Sequence, residues 1–272
     1  MELPDAERKI ESFIKDIIDS AGAQGVIVGL SGGIDSALAA ALCARALGRE
    51  KVLGLFCYES ERVPDLSANT DFSDVCGLVG DLGIELLIID MSPVLKAAGT
   101  VIGHAHAIDG KAVRISCPET DLCKGNLRAR MRMSVLYYYA NRLNFLVAGT
   151  ANRTELLTGY YTKYGDGGVD INPVGDLYKT EVRQLARQLG IPKAILEKTP
   201  SAGFWEGQSD EADLGISYGD LDKFLRLAVD ENKDRETVLR ETGMDGELYA
   251  SLTARLRSGA HKRSMPPIPL VH

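Results

Sequence analysis

Asp35 sits inside Gly29-Leu30-Ser31-Gly32-Gly33-Ile34-Asp35-Ser36, a carboxylate placed within a glycine turn. Adjacent glycines and a serine let the backbone turn sharply and approach a ligand closely. The unpaired N–H groups at the start of the following helix would then hold a phosphate. No Lys-Ser/Thr pair closes the loop as in the Walker type, so the loop has no lysine of its own to reach a terminal phosphate. A carboxylate beside a phosphate calls for a cation between them, and Mg²⁺ is commonly held by one or two carboxylates plus phosphate oxygens. These residues imply a nucleotide pyrophosphate site with bound Mg²⁺. An ordinary strand-to-helix turn, with Ser31 and Asp35 as caps or helix-dipole partners, is the alternative.

A second constellation, Gly149-Thr150-Ala151-Asn152-Arg153-Thr154-Glu155, ends an apolar run and begins a short helix. Asn152 and Glu155 fit a capping box, which would explain them by helix initiation alone. Glu155 also emerges at the same sheet edge as Asp35, where a second carboxylate would complete the coordination of Mg²⁺. The stretch from Thr158 to Pro173 mixes glycines, aspartates and tyrosines, and is expected to be a binding loop, with Lys163 and Asp170 offering opposite charges to a polar substrate. A plain turn-rich connection is the other option. Lys179 is a further cation on the next helix, and its alternative is a solvent-facing lysine. The Gly-rich, acidic segment Thr199 to Glu211 contains the only tryptophan, Trp205, and has the makings of an active-site lid or of a surface connection. His261-Lys262-Arg263 near the end is a weak signal by charge alone.

The elements that position these residues follow from periodicity. Val26 to Val28, Val52 to Phe56, Ile84 to Asp90 and Phe145 to Thr150 are short, nearly continuous apolar runs separated by helical segments. That pattern indicates parallel strands covered on both faces, with ligands at their carboxyl ends, where Ser31 and Thr150 would both lie. Helices are expected at residues 5–20, from Ala37 to Leu47, from about Asn69 to Leu82 and from Asp121 to Leu143, and residues 91–118 as a short helix followed by a loop. In the Asp121 to Leu143 helix, Leu127, Met131, Val135 and Tyr138 share one face, and Ala129, Met133, Leu136 and Ala140 nearly the opposite one. Two apolar faces need two partners: the sheet, and either another element of the chain or a second copy of this helix across a two-fold axis. Arg130, among Lys124, Arg128 and Arg132, projects beside the apolar stripe, where a partly buried arginine would meet a carboxylate or phosphate.

The chain has 272 residues, 45% hydrophobic and 25% charged, enough for a full core. It has neither a long apolar span nor the basic-then-apolar order of a signal peptide, so no membrane partner is expected and the cytosol is. Its 5 cysteines form no CxxC pair, which argues against a disulfide framework or a zinc site. A net charge of -7 disfavours nucleic acid as a partner.

Leu30 to Ser36 resembles the PP-loop of the N-type ATP pyrophosphatases. With Lys124-Gly125-Asn126 through Met133, Gly149 to Glu155, Thr162 to Asp170, Lys198 to Glu211 and His261-Lys262-Arg263, nearly the whole chain resembles the ammonia-dependent NAD synthetases. The resemblance implies an α/β fold with a parallel five-stranded sheet and helices on both faces. It implies a single domain over 1–272, with a core at about 20–200, a lid and helical region at about 199–272, and no glutaminase domain. The implied reaction is amidation of deamido-NAD by ammonia with ATP, through an adenylated intermediate, giving NAD, AMP and pyrophosphate. Asp35, Glu155 and Lys179 would be catalytic, with Asp35 and Glu155 holding Mg²⁺. Gly29 to Ser36, Thr150, Lys179 and Ser201 would contact ATP, Ser201 keeping the hydroxyl of the threonine many relatives have there. Arg130, Lys163, Asp170, His261 and Lys262 would contact deamido-NAD at the subunit interface of a homodimer.

Overall fold

The computed structural model describes residues 3–103, 120–201, 207–269 and 271. Its first half alternates helix and strand: α1 (Leu3–Ala21), β1 (Gly25–Gly29), α2 (Ile34–Leu47), β2 (Val52–Tyr58), α3 (Thr70–Leu82), β3 (Glu85–Asp90) and α4 (Ser92–Gly103). There follow α5 (Asp121–Leu143), β4 (Phe145–Ala148) and α6 (Arg153–Thr158). The remainder is helical, with α7 (Lys179–Gln188), α8 (Lys193–Leu196), α9 (Asp210–Leu214), α10 (Tyr218–Leu225), α11 (Arg235–Thr242) and α12 (Gly246–Ser258). The sequence placed α1, α2, α3 and α5 within a few residues of their observed bounds; α4 falls at the short helix expected within 91–118, and the loop expected after it lies outside the described residues. The Asp121 to Leu143 helix matches at both ends.

The strands pair in parallel in the order β3-β2-β1-β4. The sheet thus has four strands among the described residues, not the expected five. Beyond β4 the described residues add only an isolated parallel bridge between Ala148 and Ile171, with the Gly149 N–H donating to the Ile171 carbonyl at 2.7 Å and the Asp170 N–H to the Val147 carbonyl at 2.9 Å. Gly165, Gly167 and Gly168 before the bridge weaken extended structure, and Pro173 after it has no N–H for a ladder.

Successive residues of the central strands enter different cores, as a sheet covered on both faces requires. Val26 and Val28 pack with Ile14, Ile18, Leu38, Leu42 and Leu185 on the side of α1, α2 and α7. Ile27, Leu53, Leu55 and Val147 pack with Ala140 of α5 on the other. A third cluster, including Tyr178, Tyr218, Leu221, Phe224, Val238 and Leu252, joins the start of α7 to the C-terminal helices. Because β2 and β4 lie on opposite sides of β1, the connections diverge there and leave a crevice at the carboxyl ends of β1 and β4. No described helix is long and apolar enough to cross a membrane.

The two faces of α5 are less cleanly divided than the sequence pattern suggested. Val135 and Leu136, assigned to opposite faces, both pack on the sheet-side core. Leu122, Tyr138 and Leu143 of α5 are exposed, on different sides of the helix.

Candidate active site

The glycine turn after β1 is held by its own serines. The Ser36 hydroxyl donates to the Gly33 carbonyl at 2.9 Å and lies 3.3 Å from the Ser31 N–H, while the Ser31 hydroxyl accepts from the Gly33 N–H at 3.3 Å. Gly32 has φ +78°, and a Cβ there would come within 3.0 Å of the Asp71 backbone, so glycine is required on two counts. No side chain caps the first turn of α2. Its N–H groups therefore face the crevice as a ready site for an anion.

Asp35 in that turn meets Glu155 of α6 through the ammonium of Lys179. Lys179 Nζ pairs with Asp35 Oδ2 and stands 3.7 Å from Glu155 Oε1. Asn152 donates to Asp35 Oδ1 at 2.9 Å. The capping box is also real, with the Glu155 N–H donating to Asn152 Oδ1 at 3.0 Å and the Asn152 N–H to Glu155 Oε2 at 3.2 Å. Helix capping and a cation site are therefore not rivals: one oxygen of Glu155 starts the helix and the other faces the charge.

Burial, followed by the repulsion of Asp35, pushes the Glu155 carboxyl up to about 8. Burial pulls the Lys179 ammonium down, yet the attraction of Asp35 and Glu155 outweighs it and leaves Lys179 above its usual value. Lys179 is 2% exposed, so the solvent-facing alternative fails. Its N–H donates to the Thr154 hydroxyl at 3.0 Å, and Thr154 donates to Asp222 Oδ1 of α10, whose other oxygen accepts from the Thr180 N–H at 2.9 Å. The Tyr218 ring lies 5.1 Å from the ammonium, and the Tyr218 hydroxyl donates to buried Asp210 at 2.8 Å. Burial and the neighbouring Glu155 and Asp210 carboxylates raise that phenol well above its ordinary range.

A cleft of about 990 Å³ opens over this cluster. Gly29, Leu30, Ser31, Gly33, Ile34, Asp35, Ser36, Thr150, Glu155, Lys179, Ser201 and Lys262 line it. Gly32 packs against Asp71 of α3. Arg130, Lys163 and His261 are brought together near the cleft instead of lining it: Arg130 Nε donates to the Lys163 carbonyl at 3.3 Å, and Lys163 Nζ to the His261 carbonyl. Arg130 is exposed, not partly buried as expected, because α5 turns that side away from the sheet and the guanidinium lies along a loop carbonyl. Asp170 anchors its loop, accepting from the Tyr137 hydroxyl at 2.9 Å and the Val147 N–H at 2.8 Å. Lys262 donates to the Gly159 and Tyr161 carbonyls at 2.7 and 2.6 Å, and desolvation lowers its ammonium below the usual range. Trp205 and Cys117 lie outside the described residues; among the described residues no cysteine is in a disulfide.

Residues 6–266 match the family model described as NAD synthase. The chain belongs to that family. It is 46% identical to the NH(3)-dependent NAD(+) synthetase of Methanosarcina mazei over 99% of both chains, and 44% identical to that of Methanocaldococcus jannaschii over 96% of this chain and 95% of the other. Among solved structures, the NH3-dependent NAD synthetase of Campylobacter jejuni, in complex with the nitrate ion, superposes with a TM-score of 0.78 at 34% identity, covering 99% of this chain and 100% of that one. The NMN synthetase of Francisella tularensis gives 0.81 at 31% identity, covering 99% of each. The NAD synthase assignment makes the chain an enzyme of the ligase class.

This NAD synthase cleft also contains residues the sequence did not single out. Glu59, just past β2, is bracketed by Arg128 at 3.0 Å, Arg62 at 3.9 Å and Arg132 at 4.0 Å, and lines the cleft with Arg62 and Arg132. The rule that ligands gather at carboxyl ends of parallel strands would have flagged Glu59. Asp210 and Tyr218 carry no comparable local signal, since only the packing of α9 and α10 brings them to Lys179.

Proposed function

We propose that this member of the NAD synthase family amidates deamido-NAD with ammonia, using ATP and releasing NAD, AMP and pyrophosphate. The observation that carries the reading is the convergence of Asp35 and Glu155, from the ends of two different strands, on one positive charge beside an uncapped helix start. A carboxylate accepts ammonia poorly until adenylation gives it a leaving group, and the cleft is suited to that activation. The α2 N–H groups and the Ser31 to Ser36 turn would hold the pyrophosphate half of ATP, with Thr150 and Ser201 on the cleft walls. Arg130, Lys163, Asp170, His261 and Lys262 would receive deamido-NAD.

The donor set fits Mg²⁺. Among the described residues no three His, Cys, Asp or Glu side chains gather as a closed metal site, but Mg²⁺ with nucleotides usually takes one or two carboxylates and completes its shell with water and phosphate. Burial first, and then the Asp35 charge, disfavour the ionised form of Glu155, and a divalent cation would offset both. When bound, the ion supplies electrostatic stabilisation of charge on the departing pyrophosphate. Lys179 exchanges part of its contact with the two carboxylates for a phosphate oxygen, and Thr154 and Asp222 keep it in place meanwhile.

Tyr138, exposed on α5, suits burial against a second copy in a homodimer. A second reading, with the corresponding mononucleotide as acceptor, is favoured by the likeness to the Francisella tularensis NMN synthetase. One experiment separates the readings: incubation with ATP, Mg²⁺, ammonium and either acceptor. Equimolar NAD, AMP and pyrophosphate from deamido-NAD is the expected result. Turnover of the mononucleotide alone supports the second reading, and ADP with phosphate refutes both.

A further inference from the structure

Lys198, on the segment between α8 and α9, has a place in none of the roles above. Its Nζ lies 2.8 Å from Asp71 Oδ1, pairs with Asp74 Oδ2, and stands 3.4 Å from the carbonyl of Gly32 in the phosphate loop. Asp71 and Asp74 sit in the first turns of α3, which packs so closely on the loop that no Cβ fits at Gly32. The ammonium therefore reaches the loop from outside its own sequence, at the rim of the cleft it lines. Its side chain is 29% exposed, while that of Lys179 is 2% exposed and engaged by Asp35 and Glu155.

An ammonium has three protons to donate. Two are directed to the α3 carboxylates in short contacts, and the third faces Gly32 in the longest contact of the set. A phosphate oxygen seated on the α2 N–H groups competes well for that third proton, because charge-assisted hydrogen bonds are shorter and stronger than those to a neutral carbonyl. We propose that Lys198 is a phosphate-binding residue of this site, held by Asp71 and Asp74 so that it donates to the pyrophosphate end of bound ATP. It supplies from a distant segment the lysine that the glycine turn lacks. The inference rests on the functional reading above.

The test uses the full chain with Lys198→Met, Lys198→Gln and Lys198→Arg. For each variant the KM for ATP, the KM for deamido-NAD, the dissociation constant of Mg²⁺-pyrophosphate by calorimetry and the melting temperature are measured. Met and Gln are expected to raise the KM for ATP and the pyrophosphate dissociation constant about 10- to 100-fold, the range for losing a hydrogen bond to a charged group. The KM for deamido-NAD should stay within about twofold, and Arg should recover most of the loss. A purely structural ion pair predicts a lower melting temperature with both phosphate constants unchanged in whichever of the Met and Gln variants folds, and that result overturns the proposal. A wild-type chain that makes ADP from ATP overturns the functional reading and this proposal with it. Wild-type formation of AMP and pyrophosphate with unaltered Met and Gln constants overturns this proposal alone.

Discussion

Glu155→Gln separates the two duties of Glu155 within one side chain. Glutamine is compatible with the capping box, since its carbonyl oxygen accepts from the Asn152 N–H as the carboxylate does at 3.2 Å. What it removes is an ionisable carboxyl whose charged form the fold disfavours. The carboxyl rises from its ordinary 4.5 to about 8 on burial beside Asp35, so the folded chain binds this proton more tightly than the unfolded one. A raised carboxyl contributes most to stability below the unfolded value, and that contribution declines as pH climbs from about 4.5 to about 8. Relative to a neutral isostere, the penalty at pH 7 covers about 2.5 pH units, or roughly 3 kcal/mol at 1.36 kcal/mol per unit. The ligand-free variant should therefore melt several degrees higher than the wild type at pH 7 to 8, with the difference vanishing below about pH 4.5. Turnover should fall about 100-fold or more, as on removing a group that stabilises transition-state charge. Mg²⁺-pyrophosphate should stabilise the wild type and much less the variant. Calorimetric melting across pH 5 to 9 with and without that ligand, alongside NAD formation, makes the comparison. A variant less stable at every pH, or one with undiminished turnover, would refute the account of Glu155.

Two further perturbations probe the supports of the site. Gly32→Ala places a Cβ at φ +78° and 3.0 Å from the Asp71 backbone, so it should lower stability by about 1–2 kcal/mol or more and raise the KM for ATP; an unchanged melting curve would contradict that geometry. Tyr138→Glu puts a charge on the outward face of α5, where Tyr138 is 57% exposed, and should shift sedimentation from dimer to monomer. A monomeric wild type, or an unaffected dimer, would remove α5 as the interface.

Much of the site was legible because its parts lie at the ends of predicted strands. Asp35 and Glu155 could be brought to one edge from sequence alone: parallel strands put their carboxyl ends together. Helix bounds followed from strong local signals, such as Asn69 capping α3 and Gly83 ending it in a left-handed conformation. Less was legible where distant packing decides. Nothing local marks Lys179 as buried, since that depends on α10 presenting Asp222 and Tyr218. The burial of Arg130 was misjudged because proximity to an apolar stripe does not fix which way a long side chain turns. The fifth strand is reduced to the bridge at Ile171 because glycines and a proline outweigh the pairing that β4's free edge offers.

Asp222 grips both Thr154, near the start of α6, and Thr180, near the start of α7, so a residue deep in the C-terminal half fixes the backbone from which Lys179 reaches Asp35 and Glu155. The C-terminal helices are thus part of the framework of the candidate site: a chain shortened before Tyr218 would keep the residues of the four described strands and of the glycine turn, yet lose the clamp on the start of α7.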